Sequence, residues 1–458
     1  MEKKDSPFLR KPELDDVPKD KYNLVYLIFL LHGLGVLMPW NMFTTADAYF
    51  REVKLDGSMY GRDFQSYLGV SSQFPNLLFA FINLFAQLKG SLTARVLVSL
   101  SCMLLIFLLT TILAAVDTEG YEATFFAITM TSVVLINCAV GVYQNSCFGL
   151  AADLPMKYGN ALLIGNNISG TAVAIVGLIT MSLSPDKTTA ATFYFSAALV
   201  VVTLCIAGGA LLSRCKFYRY YSSIGDSNRS NDPDINLVPS KGGGKQKNGS
   251  NFLSYLKTYV TVIRQASMQI FNVFFVFFVT LSIYPAVLAD IRPSKQNFWL
   301  PADDSTNKNY FRAVTCFLSF NLFAMLGSLT SNWIRFPGPR LVWIPVTLRA
   351  LFIPFFLFCN YRPLSRTLPV FIFEEHFYMI MVVLFAFTSG YFGSVAMMYA
   401  PRSVSADKAR IASMMGGFFL ILGICSGVNF TFVISSLAGN IGPASENLFN
   451  VTTAPSMI

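Results

Sequence analysis

Apolar residues run along this chain in long blocks, not at alternating or heptad positions. Eleven blocks stand out, at 22–46, 66–87, 96–116, 124–151, 161–181, 192–212, 269–289, 311–333, 341–359, 377–399 and 412–437. Charged residues fall mostly between them. A helix rises about 1.5 Å per residue, so blocks of roughly twenty residues cross a hydrocarbon core of ~30 Å. They are far longer than barrel strands. Pro39, Pro75, Pro285 and Pro354 fall inside them, which membrane helices tolerate when neighbours satisfy the freed carbonyls. The pattern predicts an all-α transmembrane protein with eleven helices.

Composition supports this class. Of 458 residues, 54% are apolar and 13% charged, about half the charged share of a soluble chain. Disorder, collagen-like repeats and a small disulfide scaffold are excluded on the same grounds. The eight cysteines sit within or beside apolar blocks and read as small hydrophobes in helix packing. The net charge is +9, but no Lys/Arg run is interleaved with exposed aromatics, which argues against nucleic acid as a partner. Charge placement sets orientation instead. With a cytoplasmic N-terminus, 23 Lys and Arg lie on inner segments and 10 on outer ones. The positive-inside rule therefore predicts a cytoplasmic N-terminus, and the odd helix number an extracellular C-terminus.

These assignments divide the chain into a cytoplasmic tail (1–21), a six-helix bundle (22–212), a largely disordered cytoplasmic linker (213–268), a five-helix bundle (269–437) and an extracellular tail (438–458). The first block follows a charged tail and reads as a retained span. The linker is rich in Ser, Asn, Gly and Lys, and its basic ends are expected against anionic lipid. Its Lys241-Gly-Gly-Gly-Lys245 lacks the strand and helix of a phosphate-binding loop. Six plus five helices match the two-bundle, major-facilitator-like plan with one helix missing. Such carriers bind substrate between the bundles near the midplane. Asn450-Val-Thr452 is a glycosylation sequon in the outward tail.

Candidate chemistry is uncharged. The blocks hold no H-E-x-x-H, no G-x-S-x-G and no carboxylate pair, so nothing marks an enzyme, and no cofactor motif is present. Helical spacing groups small and amide residues on faces: Asn137, Gly141, Gln144 and Phe148 in block four, and Gly165, Asn166, Ser169 and Gly170 in block five. Block one aligns Gly33, Leu37, Trp40 and Thr44; block eight aligns Asn321, Ala324 and Ser328. Glycines of blocks ten and eleven, such as Gly390, Gly423 and Gly427, read as close helix packing. An unpaired amide in hydrocarbon costs several kcal/mol, so Gln144 and Asn321 each require a partner, water or a ligand. Arg349 is the one deep charge and is expected to bind carbonyls, water or an aromatic face, with a gating role as the alternative. His32 reads as a satisfied buried imidazole. No Asp or Glu lies deep in a block; Asp47, Asp153 and Asp290 lie at block ends. Ion-coupled transport normally uses buried carboxylates, so the interior favours a passive carrier.

Several short motifs occur in an order that resembles the equilibrative nucleoside transporter family over nearly the whole chain. They are Gly33-Leu-Gly-Val-Leu-Met-Pro-Trp-Asn41, Tyr143-Gln-Asn-Ser-Cys-Phe-Gly149, Lys216-Phe-Tyr-Arg-Tyr-Tyr221, Tyr284-Pro-Ala286, Cys316-Phe-Leu-Ser-Phe-Asn321 and Gly390-Tyr391. The resemblance implies facilitated diffusion of nucleosides, sometimes nucleobases, by alternating access. It implies that Trp40 packs beside the ligand and that Gln144 bonds the base. Leu37, Gly141, Asn166, Asn321, Tyr284, Ala324 and Ser328 complete the candidate site. A neutral, flat, donor-rich solute suits aromatic surfaces and amides rather than charges. The chain departs from the family in one place. The family's eighth helix usually reads Phe-Asn-x-x-Asp-x-x-Gly-Arg, and here Ala324 and Ser328 stand at the charged positions. Two other readings stay open at this point: a carrier of a different neutral or organic-cation solute, and a non-transporting receptor or scaffold. The plasma membrane is the expected location.

Overall fold

The computed structural model describes residues 17–62, 64–85, 91–116, 120–183, 186–230, 248–294, 298–300, 302–303, 308–363 and 366–440. Asn450 and its sequon lie outside them. The fold is helical: α1 Leu24–Thr45, α2 Phe64–Phe85, α3 Leu92–Ala115, α4 Glu122–Ala151, α5 Met156–Leu183, α6 Lys187–Leu212, α7 Lys216–Ser230 and α8 Asn248–Ile283. After these come α9 Tyr310–Thr330, α10 Trp343–Leu357, α11 Glu375–Tyr399 and α12 Ala409–Asn440.

Ten of these helices are long and apolar enough to cross a membrane, one fewer than the eleven the sequence predicts. The difference is α10, in the block at 341–359. Pro345 and Pro354 lie within it, and the chain tightens into a 3₁₀ turn at Arg349–Leu351. Its fifteen residues span about 22 Å at 1.5 Å per residue, short of a ~30 Å hydrocarbon core. The linker also differs at its flanks. Residues 216–230 form α7, and α8 already begins at Asn248; 231–247 lie outside the described residues. Phe217, Tyr218 and Gly225 share the buried face of α7, and Phe217 packs on Tyr158 of α5 with ring centroids 5.2 Å apart. The polar composition around this aromatic face hides the helix from a reading by composition.

The two halves repeat one plan. In the first, α1 pairs with α5 and α2 with α4; in the second, α8 pairs with α12 and α9 with α11. In each half the first helix thus packs on the fifth and the second on the fourth. Every one of these pairings brings a glycine against a facing carbonyl. A β-carbon on Gly33 would stand 2.1 Å from Leu162 O, on Gly141 2.4 Å from Asn76 O, on Gly390 1.9 Å from Ala324 O, and on Gly423 2.5 Å from Phe274 O. Small residues allow such approach, and dispersion and polar contacts then hold helices that gain little from hydrophobicity within lipid. The halves meet through α5 against α9 and α11, and through α2 and α4 against α12.

Overpacking costs about 1–3 kcal/mol. Gly390→Val is therefore expected to lower the thermal midpoint of the detergent-solubilised protein. Gly177→Ala, whose β-carbon meets nothing within 4 Å, is expected to leave it unchanged or higher, as followed by intrinsic fluorescence.

Candidate functional site

The polar candidates of the first half fall on arcs left between packing faces. Successive residues of a helix turn by about 100°. On α1, Gly33 meets α5, and Asn41 Nδ2 donates to Ser169 Oγ of α5 at 2.9 Å. On its other side His32 and Gly35 meet Tyr143 of α4 and Cys205 of α6. Trp40, half-buried, lies on the arc between the two faces, and Leu37 falls on the α5 side, between Gly33 and Asn41. On α4, Gly141 packs on α2, and Asn145 Nδ2 donates to Ala80 O of α2 at 3.2 Å. Tyr143 faces α1. Gln144 lies between these faces, is 5% exposed, and makes no side-chain hydrogen bond among the described residues. On α5, Gly165 and Ser169 face α1 while Asn160, Asn167 and Gly170 face α9. Asn166 lies between, and its Oδ1 is buried without a partner.

The second half contributes an amide and an aromatic pair. Asn321 Nδ2 donates to Tyr284 Oη and to Phe317 O, both at 2.9 Å. Its Oδ1 lies directly against Gly170 of α5. The Tyr284 ring stacks on Phe320 with centroids 3.8 Å apart and planes 12° off parallel. Ala324 and Ser328 are both buried against α11. Ser328 Oγ donates to Gly390 O at 3.1 Å and accepts from Asn167 Nδ2 of α5 at 3.0 Å. The hydroxyl thus ties α9 to its own half and to the other half at once.

The remaining titratable candidates are held inside their own halves. Arg349 is buried between α8, α10 and α11. Its guanidinium donates to Phe385 O at 3.0 Å, to Thr280 Oγ1 at 2.9 Å and to Thr388 Oγ1, and lies 5.0 Å from the Phe385 ring centroid. Carbonyl, hydroxyl and aromatic face replace a counter-ion. His32 Nδ1 is 2.8 Å from Tyr143 Oη, which donates to His32 O at 3.1 Å. This pair struts α1 against α4.

The end of the molecule carrying α7 is closed by bonds between the halves. Asn160 Nδ2 reaches Ser328 O, Ser331 Oγ and Asn332 Oδ1 at 2.8–3.0 Å. Ser413 Oγ donates to Phe148 O at 2.8 Å, and Arg402 Nη2 to Leu154 O at 3.1 Å. Asp153, in the turn between α4 and α5, accepts from Arg410 of α12 at 2.5 Å and from Arg229 of α7 at 2.8 and 3.3 Å. Burial alone would lower the Arg229 guanidinium; its bonds to Asp153 and Asp226 outweigh this and hold its pKa above the ordinary value. Toward the opposite end the Ser182 and Tyr310 hydroxyls join the halves at 3.4 Å. Among these closing residues, Asn160 and Asn167 carry a mark in the sequence: two amides two turns apart on one helix face.

The indole and amides on these arcs carry no charge, and the end of the molecule bearing α7 is closed by polar bonds between the halves. Comparisons with known proteins give the family. The profile of the nucleoside transporter family matches residues 130–436. Equilibrative nucleoside transporter 1 of Homo sapiens is 31% identical over 92% of this chain and 98% of its own length. Equilibrative nucleoside transporter 2 of Homo sapiens is 30% identical over 92% and 99%. Equilibrative nucleoside transporter 3 of Rattus norvegicus is 29% identical over 90% and 88%. Among solved structures, the Major Facilitator Superfamily transporter FucP in its outward conformation aligns with a TM-score of 0.50 at 14% identity over 91% of each chain, a likeness of fold.

Removing the Asp153 carboxylate would leave Arg229 and Arg410 with only the exposed Asp226 carboxylate between them, at a cost on the order of 3 kcal/mol for a largely buried pair. Asp153→Asn is expected to speed amide hydrogen exchange at least about tenfold in the segments around 150–158 and 402–412, with α3 unaffected.

Proposed function

The chain belongs to the equilibrative nucleoside transporter family, and on that premise we propose that it carries nucleosides, and some nucleobases, down their gradients by alternating access. It is a multi-pass membrane protein. In this reading the end bearing α7 faces the cytoplasm, the N-terminus lies inside and the C-terminus outside, and α10 completes eleven passes with help from its flanking residues. The distribution of Lys and Arg supports this orientation. The plasma membrane is the proposed location.

One observation carries the reading: Trp40, Gln144 and Asn166 fall on the arcs that helix packing leaves free, Gln144 makes no side-chain hydrogen bond among the described residues, and Asn166 Oδ1 is buried without a partner. A buried amide without a partner is costly, and a base or ribose supplies what is missing. In the proposed site Trp40 and Leu37 give the solute an apolar wall, while Gln144 and Asn166 bond it. Asn321 and Tyr284 close it from the second half. Gly141, Ala324 and Ser328 shape it by holding α4, α9 and α11 in place. Arg349 braces the second half. The absence of Asp or Glu from the middle of the spans supports downhill transport without ion coupling.

A second reading, a carrier of a different neutral solute, is favoured by Ala324 and Ser328. Both are packed against α11, and the Ser328 hydroxyl is engaged by Asn167 and Gly390, so this wall offers a guest no charge.

Flux of labelled adenosine, uridine and adenine into proteoliposomes tests both. The proposal expects saturable equilibration with no accumulation under an imposed proton or sodium gradient. Silent vesicles containing protein of normal thermal stability would transfer support to the second reading. Loss of one amide bond is worth about 1–1.5 kcal/mol, so Gln144→Ala is expected to reduce flux per transporter roughly tenfold. Unchanged flux would take Gln144 out of the site.

A further inference from the structure

A second space lies on the opposite side of α1 from Trp40. Helices α1, α5 and α6 enclose about 180 Å³, lined chiefly by Leu34, Met38, Met42, Val173, Phe193 and Val201. Three polar side chains also reach its wall, and each is already bonded. Thr45 Oγ1 donates to Asn41 O at 2.6 Å, Ser169 Oγ accepts from Asn41 Nδ2 at 2.9 Å, and the Tyr194 and Thr180 hydroxyls pair at 2.8 Å. A water needs two to four polar partners, and an apolar cavity of ~150 Å³ stays dry and takes benzene or xenon. A nucleoside would bring donors and acceptors that find no partner here.

The space has a mouth between α5 and α6. Ala172 and Phe193 flank it and are exposed. Exposed apolar side chains continue from Phe193 through Val200 and Leu204 to Leu211 along α6, and through Ile175 and Ile179 along α5. In a membrane protein such full-length apolar faces look into bilayer hydrocarbon, so the mouth opens sideways into lipid. We propose that this crevice is a specific binding site for the acyl chain of a bilayer phospholipid, which inserts its apolar end through the α5–α6 mouth and packs against α1. The chemistry of the wall selects hydrocarbon, and the position of the mouth selects a chain supplied by the membrane. The chain braces α1 from behind while its other side serves the cleft.

The test uses the full chain in nanodiscs containing a phospholipid with a diazirine at the end of one acyl chain, with labelled residues mapped by mass spectrometry. Labelling at Met38, Met42 and Val173 is expected to saturate as the probe fraction rises and to fall when unlabelled phospholipid is added. Labelling at the exposed Leu204 and Leu211 should track probe fraction linearly. Ala197→Phe places a ring in the crevice and is expected to reduce the inner labels several-fold without changing the outer ones. Val201→Phe provides the same readout by a second route, and the saturation measurement needs no variant. Absence of inner labels, or inner labels that rise linearly and ignore both substitutions, would overturn the site. The readout does not depend on transport, so it stands or falls apart from the nucleoside reading.

Discussion

The fold depends on backbone meeting backbone without a side chain between. At each of its four main helix pairings a glycine lies opposite a carbonyl, and a β-carbon at that position would stand about two ångströms from the oxygen. Within lipid there is little hydrophobic gain from bringing helices together, so short-range contact must supply the attraction. Contacts this close tolerate little sliding. Each half is consequently a stiff unit, and the compliant surfaces are those between halves, where side chains meet through hydrogen bonds and ion pairs that water can replace. Rocking of one bundle against the other follows from this division of contacts.

The same division explains how charge is handled. Arg349 and His32 would be expensive in an open passage, and both are bonded within one half. The arcs that carry Trp40, Gln144 and Asn166 hold no charged side chain.

Much of this was legible in the chain. Block length and charge spacing showed the helical membrane class, and the short motifs around Trp40, Gln144 and Asn321 pointed to the family. The glycines of the last two blocks read as packing positions, and Gly390 and Gly423 lie against Ala324 O and Phe274 O. Arg349 meets the carbonyl and the aromatic face of Phe385. Three features were not legible. The block at 341–359 has the apolar length of a span, yet two prolines and a 3₁₀ turn leave α10 short; hydropathy does not register helix continuity. Helix α7 was masked by polar composition, although its aromatic face is buried. The partners of Asn160, Asn167 and Asp153 lie more than 160 residues away, apart from Arg229, and no local pattern announces such pairings.

Asp153 is shared between two guanidiniums that belong to different bodies. Arg410 rides on α12, in the second half, whereas Arg229 sits on α7, which is packed on α5 through Phe217 and Tyr158. When the halves part, Arg410 departs and Arg229 stays. The carboxylate therefore keeps a counter-ion on its own half, and the charge uncovered at the opened mouth is the Arg410 guanidinium, parted from both Asp153 and Asp226.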